Sequence, residues 1–122
     1  MAIHNRLGIK GEQIALNYIQ DKGYHILETN WRFGHLEVDI IAEHGNQIVV
    51  IEVKTRSTDQ WGTPDESVTN SKIRFLTNAI EVYLDQKNID KEVRFDIISI
   101  VTSANNNEIN HIEEAFHPIA NR

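Results

Sequence analysis

Cysteine is missing from all 122 residues. This removes disulfides, thiolate zinc or iron–sulfur sites and thiol catalysis at once, so any metal must be held by oxygen or imidazole. Long apolar runs are missing too. No stretch approaches the roughly 20 apolar residues that span a bilayer, and the opening MAIHNRLGIKGEQ lacks the apolar core of a secretory signal. The expectation is a cytoplasmic protein with no membrane partner. The six histidines, His4, His25, His35, His44, His111 and His117, show no close ligand spacing of the HExxH kind, so a zinc site is not expected. No Gly-rich phosphate loop and no GxSxG elbow is present, which sets aside the common NTPase and hydrolase readings. Positive charge is in short supply: 12 Lys and Arg stand against 18 Asp and Glu, a formal net charge of -6. That balance argues against non-specific coating of nucleic acid, which depends on counterion release by many cations. It leaves room for a metal-dependent site, which must cluster carboxylates and can carry a local basic strip.

What remains is a chain of single-domain size, with 40% hydrophobic residues and no internal repeat, low-complexity tract or linker that would divide it. Leu7, Ile14, Ala15, Tyr18 and Ile19 keep a 3.6-residue period, which predicts an amphipathic helix from about Asn5 to Asp21. Three strands follow, YHILETNWRF, LEVDIIAE and QIVVIEVK, the last two joined through His44-Gly45-Asn46 as a hairpin. The polar segment STDQWGTPDESVTNS reads as a loop whose Thr69 or Asn70 caps a second helix, marked by Ile73, Leu76, Ile80, Tyr83 and Leu84. VRFDIISIVT is a strong strand, NNNE a turn, and a weaker strand spans His111 to Phe116. The order is αβββαββ. A crossover helix between the third and fourth strands makes them parallel, so the expected architecture is a mixed sheet with helices packed on it.

The chemistry concentrates in the meander. Alternation along a strand puts Glu37 and Asp39 on one face, and Glu52 and Lys54 on one face of the next strand. The run Ile48 to Ile51 marks a strand covered on both sides, so charges at its end are costly unless paired or bound to an ion. Asp39 likewise stands between Val38 and Ile40, where packing alone would call for a hydrophobe. Two carboxylates on rigid strands suit Mg²⁺ or Mn²⁺, which leave positions for water and phosphate oxygens. A nearby ammonium, Lys54, suits orientation of a nucleophilic water and stabilisation of the transition state. A buried ion pair or an exposed strand edge would account for the same residues by spacing alone.

Asp39, then Glu52, one spacer and Lys54 resemble the D…ExK core of the PD-(D/E)xK nuclease superfamily. A wider pattern runs through Gly11-Glu12, Asn30-Trp31-Arg32, Glu37 to Asp39 and Glu52-Val53-Lys54-Thr55-Arg56, then Gly62, Pro64, Lys72 and the RFDIISI strand. It resembles the YraN-type family of uncharacterised bacterial endonuclease-like proteins over nearly the whole chain. The chain departs from that family at Leu36, where Gly is usual, with Gly34 and His35 just upstream, so a different turn into that strand is expected. The resemblance implies a restriction-endonuclease-like three-layer fold and metal-dependent hydrolysis of phosphodiester bonds. The layout is also similar to that of archaeal Holliday-junction resolvases, which implies that Glu12 joins Asp39 and Glu52 at the metal, that branched DNA is a candidate substrate, and that a symmetric homodimer is the assembly to look for. Helical spacing from Ala15 and Ile19 puts Glu12 at the edge of the packed stripe, although the helix dipole alone favours a glutamate early in a helix.

Arg56 and Lys72, and after them Arg32 and Arg74, are the candidate phosphate contacts, against the ordinary reading of solvated surface charge. Glu37 is a secondary candidate beside Asp39. Trp31 reads as a packing residue rather than a base-stacking one; Trp61 is open to either role. The rival to the nuclease is a non-catalytic scaffold or nucleic-acid-binding protein that keeps the fold, with a surface for dimerisation or protein binding as a third reading.

Overall fold

The computed structural model describes residues 6–57 and 69–118. The elements run α1 (Arg6–Asp21), β1 (His25–Phe33), β2 (Leu36–His44), β3 (Gln47–Ser57), α2 (Asn70–Lys87), β4 (Glu92–Thr102) and β5 (Asn107–Phe116). The order is the expected αβββαββ. The five strands form one mixed sheet in sequence order, antiparallel everywhere except between β3 and β4, which the α2 crossover makes parallel from Gln47↔Glu92 to Ser57↔Thr102. Trp61, Gly62 and Pro64 lie outside the described residues.

Each helix buries one face of the sheet. On one side Ala15 and Ile19 of α1 pack with Ile40, Val49, Ile51 and Ile98. On the other, Leu76, Ile80 and Tyr83 of α2 pack with Ile41, Val50 and Phe95. Helix, sheet and helix thus make three layers, and the central strands β3 and β4 are covered twice, which is why their sequences are apolar runs rather than alternating ones. Thr69 caps α2 by accepting from Lys72 N at 3.1 Å, and Asn88, in the left-handed region at φ 54°, ends it. Trp31 packs edge-on against Tyr83 in the α2-side core, as read from sequence.

The structure redraws three local expectations. The β2–β3 loop has two residues, Gly45 and Asn46, because His44 and Gln47 still pair. The last turn begins earlier, so β5 starts at Asn107 and not at His111. The β1–β2 turn is also two residues long: Phe33 pairs with Leu36 around Gly34-His35. Gly34 adopts φ 61°, which a tight hairpin of this hand requires at its first central position and which glycine takes without strain. A glycine at position 34 therefore makes one at 36 unnecessary, and Leu36 is free to pack.

Candidate functional site

The site forms where the sheet parts. Pairing of β2 with β3 ends at Ile40↔Ile51, yet β3 continues alongside β4 to Ser57 and β2 continues alongside β1 to Leu36. Beyond that last pair the two strands diverge and a main-chain donor of β3 loses its ladder partner. The side chain of Asp39 takes the place of the missing carbonyl: its Oδ2 accepts from Val53 N at 2.8 Å. This secures Asp39 against the strand bearing Glu52 and Lys54. It also places the carboxylate in a half-buried seam, where an unpaired N–H would otherwise be costly.

Helix α1 closes on this seam because of Gly11. A Cβ at that position would stand 1.9 Å from Thr55 Oγ1, so only glycine lets the helix lie so close on β3. The next residue is Glu12, half-buried and near enough for its charge to act on Asp39. The carboxyl group of Asp39 is pushed up from 3.8 to about 6, first by burial. The hydrogen bond from Val53 N opposes this, while the charges of Glu52, Glu12 and Glu37 add to the rise. The charges of three carboxylates, one from β2, one from β3 and one from α1, therefore act on Asp39.

Glu52 faces α2. Its Oε1 lies 3.3 Å from Lys54 Nζ and also accepts from Lys72 Nζ, while its Oε2 is buried without a hydrogen-bond partner. Lys72, read from sequence as a phosphate contact, thus stands directly on the predicted ligand. A cavity of about 20 Å³ opens between these groups, lined by Glu37, Asp39, Glu52 and Lys72 with apolar Val50 and Leu76. It has room for about one water-sized guest.

The remaining candidates are spread around this centre. Arg32 pairs with Glu37 at 3.2 Å. Arg56 is half-buried on β3, two residues beyond Lys54, and Arg74 is exposed on α2. Among the described residues no three His, Asp or Glu side chains are gathered as a ready-made metal cage.

One polar cluster escaped the sequence reading. Asp96, fully buried in β4, accepts from Arg94 Nε and Nη2, each at 2.9 Å, from Glu114 N at 3.1 Å, and lies 2.6 Å from His111 Nε2. Arg94 also reaches Gln47 at 3.1 Å and donates to the Tyr24 hydroxyl. The signal was in RFDIISI: two opposite charges two residues apart on a strand that is otherwise apolar share a face and pair.

The sequence matches the Uncharacterised protein family UPF0102 over residues 11–100, a span that includes every candidate residue. The chain belongs to that family. Among its relatives, a UPF0102 protein of Phocaeicola vulgatus is 47% identical over 118 residues, covering 97% of this chain and 98% of its own. Another, from Christiangramia forsetii, is 47% identical over 116 residues, 95% and 98% of the two chains. A third, from Flavobacterium psychrophilum, is 44% identical over 117 residues, 96% and 98%. The alignments therefore run over nearly the whole length of each of these relatives. Among the described residues no helix is long and apolar enough to cross a membrane.

Proposed function

We propose that this UPF0102 protein is a metal-dependent nuclease of the PD-(D/E)xK superfamily, with a restriction-endonuclease-like fold, that hydrolyses phosphodiester bonds in DNA, branched DNA included. The observation that carries the reading is the parted seam itself. There Asp39 is held at a raised pKa among Glu52, Glu12 and Glu37, with Lys54 and Lys72 at its edge. A purely structural carboxylate would be given cations and N–H donors; Asp39 is given one N–H and feels the like charge of three further carboxylates. Such crowding is stabilised by a divalent cation, and the buried, unpartnered Oε2 of Glu52 is an acceptor without a donor.

Asp39 and Glu52 would hold Mg²⁺ or Mn²⁺, with Glu12 assisting from α1 and Glu37 behind Asp39. When bound, the ion supplies Lewis-acid stabilisation of the charge that develops on the phosphodiester. The chain's own groups do the rest. Lys54 orients the attacking water and offsets the same charge, while Lys72, Arg56, Arg32 and Arg74 are the cations available to the nucleic-acid backbone. Lys72 and Lys54 also hold the carboxylate of Glu52 in place before a cation arrives.

A second reading draws on that same pairing. Because two lysines already neutralise Oε1 of Glu52, a scaffold that keeps the fold without cutting is stable with no ion at all. The deciding experiment incubates labelled single-stranded, duplex, flapped and four-way-junction DNA with the protein in Mg²⁺, Mn²⁺ or EDTA, beside Asp39→Asn and Lys54→Ala. Metal-dependent cutting lost in both variants supports the nuclease; folded protein that cuts nothing and gains no thermal stability from either metal supports the scaffold. A homodimer, the assembly suited to a symmetric junction, is checked by light scattering on the free protein.

A further inference from the structure

A row of aromatic rings leads from the core to the surface beside the seam. Tyr83 is buried; Trp31 meets it edge-on at 5.3 Å, Phe33 stacks on Trp31 at 6.0 Å, and Phe75 meets Phe33 edge-on at 6.1 Å. The last ring is 43% exposed, large for a phenylalanine on the second turn of a helix that could have carried any polar residue there. Its contact with Phe33 is edge-on at 72°, so one face of Phe75 stays uncovered by Phe33. Gly34 lies 3.9 Å from the ring tip as measured from the position of a Cβ it lacks. The ring is thus braced from below and open above.

Phe75 also forms the wall of a shallow depression of about 300 Å³ with His35, Leu36, Ser71 and Lys72. Lys72 lines both this depression and the small cavity at Asp39 and Glu52, and its ammonium is bonded to Glu52, so the two hollows adjoin along its side chain. An apolar floor with an exposed ring that adjoins the proposed phosphodiester site matches a nucleotide whose backbone lies at that site, because its base is a flat π-surface one sugar away from the phosphate. It does not match a greasy peptide side chain, which has no use for Lys72, Ser71 or His35.

We infer that Phe75, braced by Phe33 and flanked by Lys72, is a stacking platform for an unpaired base of a strand whose backbone enters the seam. This rests on the nuclease reading and adds the substrate class: single-stranded or branched nucleic acid, because the bases of a continuous duplex are already stacked on one another. Alanine substitution at such platforms typically weakens binding by about ten-fold or more per base, and stacking tolerates any sequence.

The test reads binding in EDTA, so that no bond is cut. Oligonucleotides carrying 2-aminopurine, whose emission falls when it stacks, are titrated with wild type, Phe75→Ala and Phe75→Tyr. The expected result is quenching of single-stranded and flapped probes by wild type and Phe75→Tyr, an affinity about ten-fold lower with no quenching for Phe75→Ala, and equal, weak duplex binding by all three. Equal single-strand binding by Phe75→Ala and wild type, a preference for continuous duplex, or no binding to any probe overturns the inference. Cutting that ignores Phe75→Ala sinks the platform and leaves the nuclease standing. Stacking without cutting in Mg²⁺ or Mn²⁺ does the reverse.

Discussion

Two aspartates sit on strands of the same sheet, and the fold treats them in opposite ways. Asp96 is buried completely, and burial alone would raise its pKa. Yet His111, Arg94 and the N–H of Glu114 outweigh that cost and hold it below the ordinary value. Asp39 is less deeply buried and receives one N–H, and burial, with the like charges of Glu52, Glu12 and Glu37 added, raises its pKa to about 6. Where a carboxylate serves the fold, every oxygen finds a cation or donor; where it is left among its own kind, the structure carries a cost that a bound cation can relieve.

The contrast breaks most visibly at Asp96. Asp96→Ala leaves the buried Arg94 guanidinium with only the exposed Glu113, 3.3 Å from its Nη1, as counter-charge, and urea unfolding should register a loss of about 3 kcal/mol. With the carboxylate intact, stability linked to Asp96 is present above its unfolded pKa and disappears as pH falls through its lower folded value.

At Asp39 the sign reverses. The folded pKa of about 6 lies above the ordinary 3.8, so the folded form retains a proton that the unfolded chain releases. Stability therefore falls as pH rises from about 4 to about 6 and stays low above. Asp39→Asn, which can still accept from Val53 N, should stabilise the metal-free protein at pH 7.5 by up to about 3 kcal/mol and leave it unchanged near pH 4. Thermal denaturation at the two pH values checks this. Excess Mn²⁺ should reverse the ranking by stabilising wild type alone, with an affinity that climbs as pH passes 6.

The smallest effect lies at the helix that brings Glu12 to the seam. Gly11→Ala would ordinarily favour a helix by about 1 kcal/mol. Here its methyl group meets Thr55, and the expected result is a loss of about 1 to 2 kcal/mol. Thr55→Ala should restore most of it in the double variant. Backing α1 away should also relieve Asp39 of the Glu12 charge and lower its pKa, which NMR titration of the carboxyl can follow.

Much of this was legible beforehand. Helical periods gave the two helices, which are amphipathic, and apolar runs gave the central strands β3 and β4, which are covered on two faces. Asp39, Glu52 and Lys54 stood out as charges in apolar runs, and the same argument, left unapplied to RFDIISI, would have found Arg94 and Asp96. The parting of β2 from β3 was beyond reach, since strict alternation says nothing about where a ladder ends. Val38 and Ile41 pack in the same cluster although three residues apart, where strict alternation would put them on opposite faces. Lys72 on Glu52 was equally hidden, because it depends on how α2 lies across the sheet.

The hydrogen bond from Val53 to Asp39 has a practical consequence. A single backbone amide is wired to the carboxylate of the candidate site, with no side chain between. Its resonance frequency and its hydrogen-exchange rate should respond to each proton or cation that Asp39 gains or loses. Residue 53 thereby becomes a built-in gauge of site occupancy, readable in the unmodified protein without a substrate.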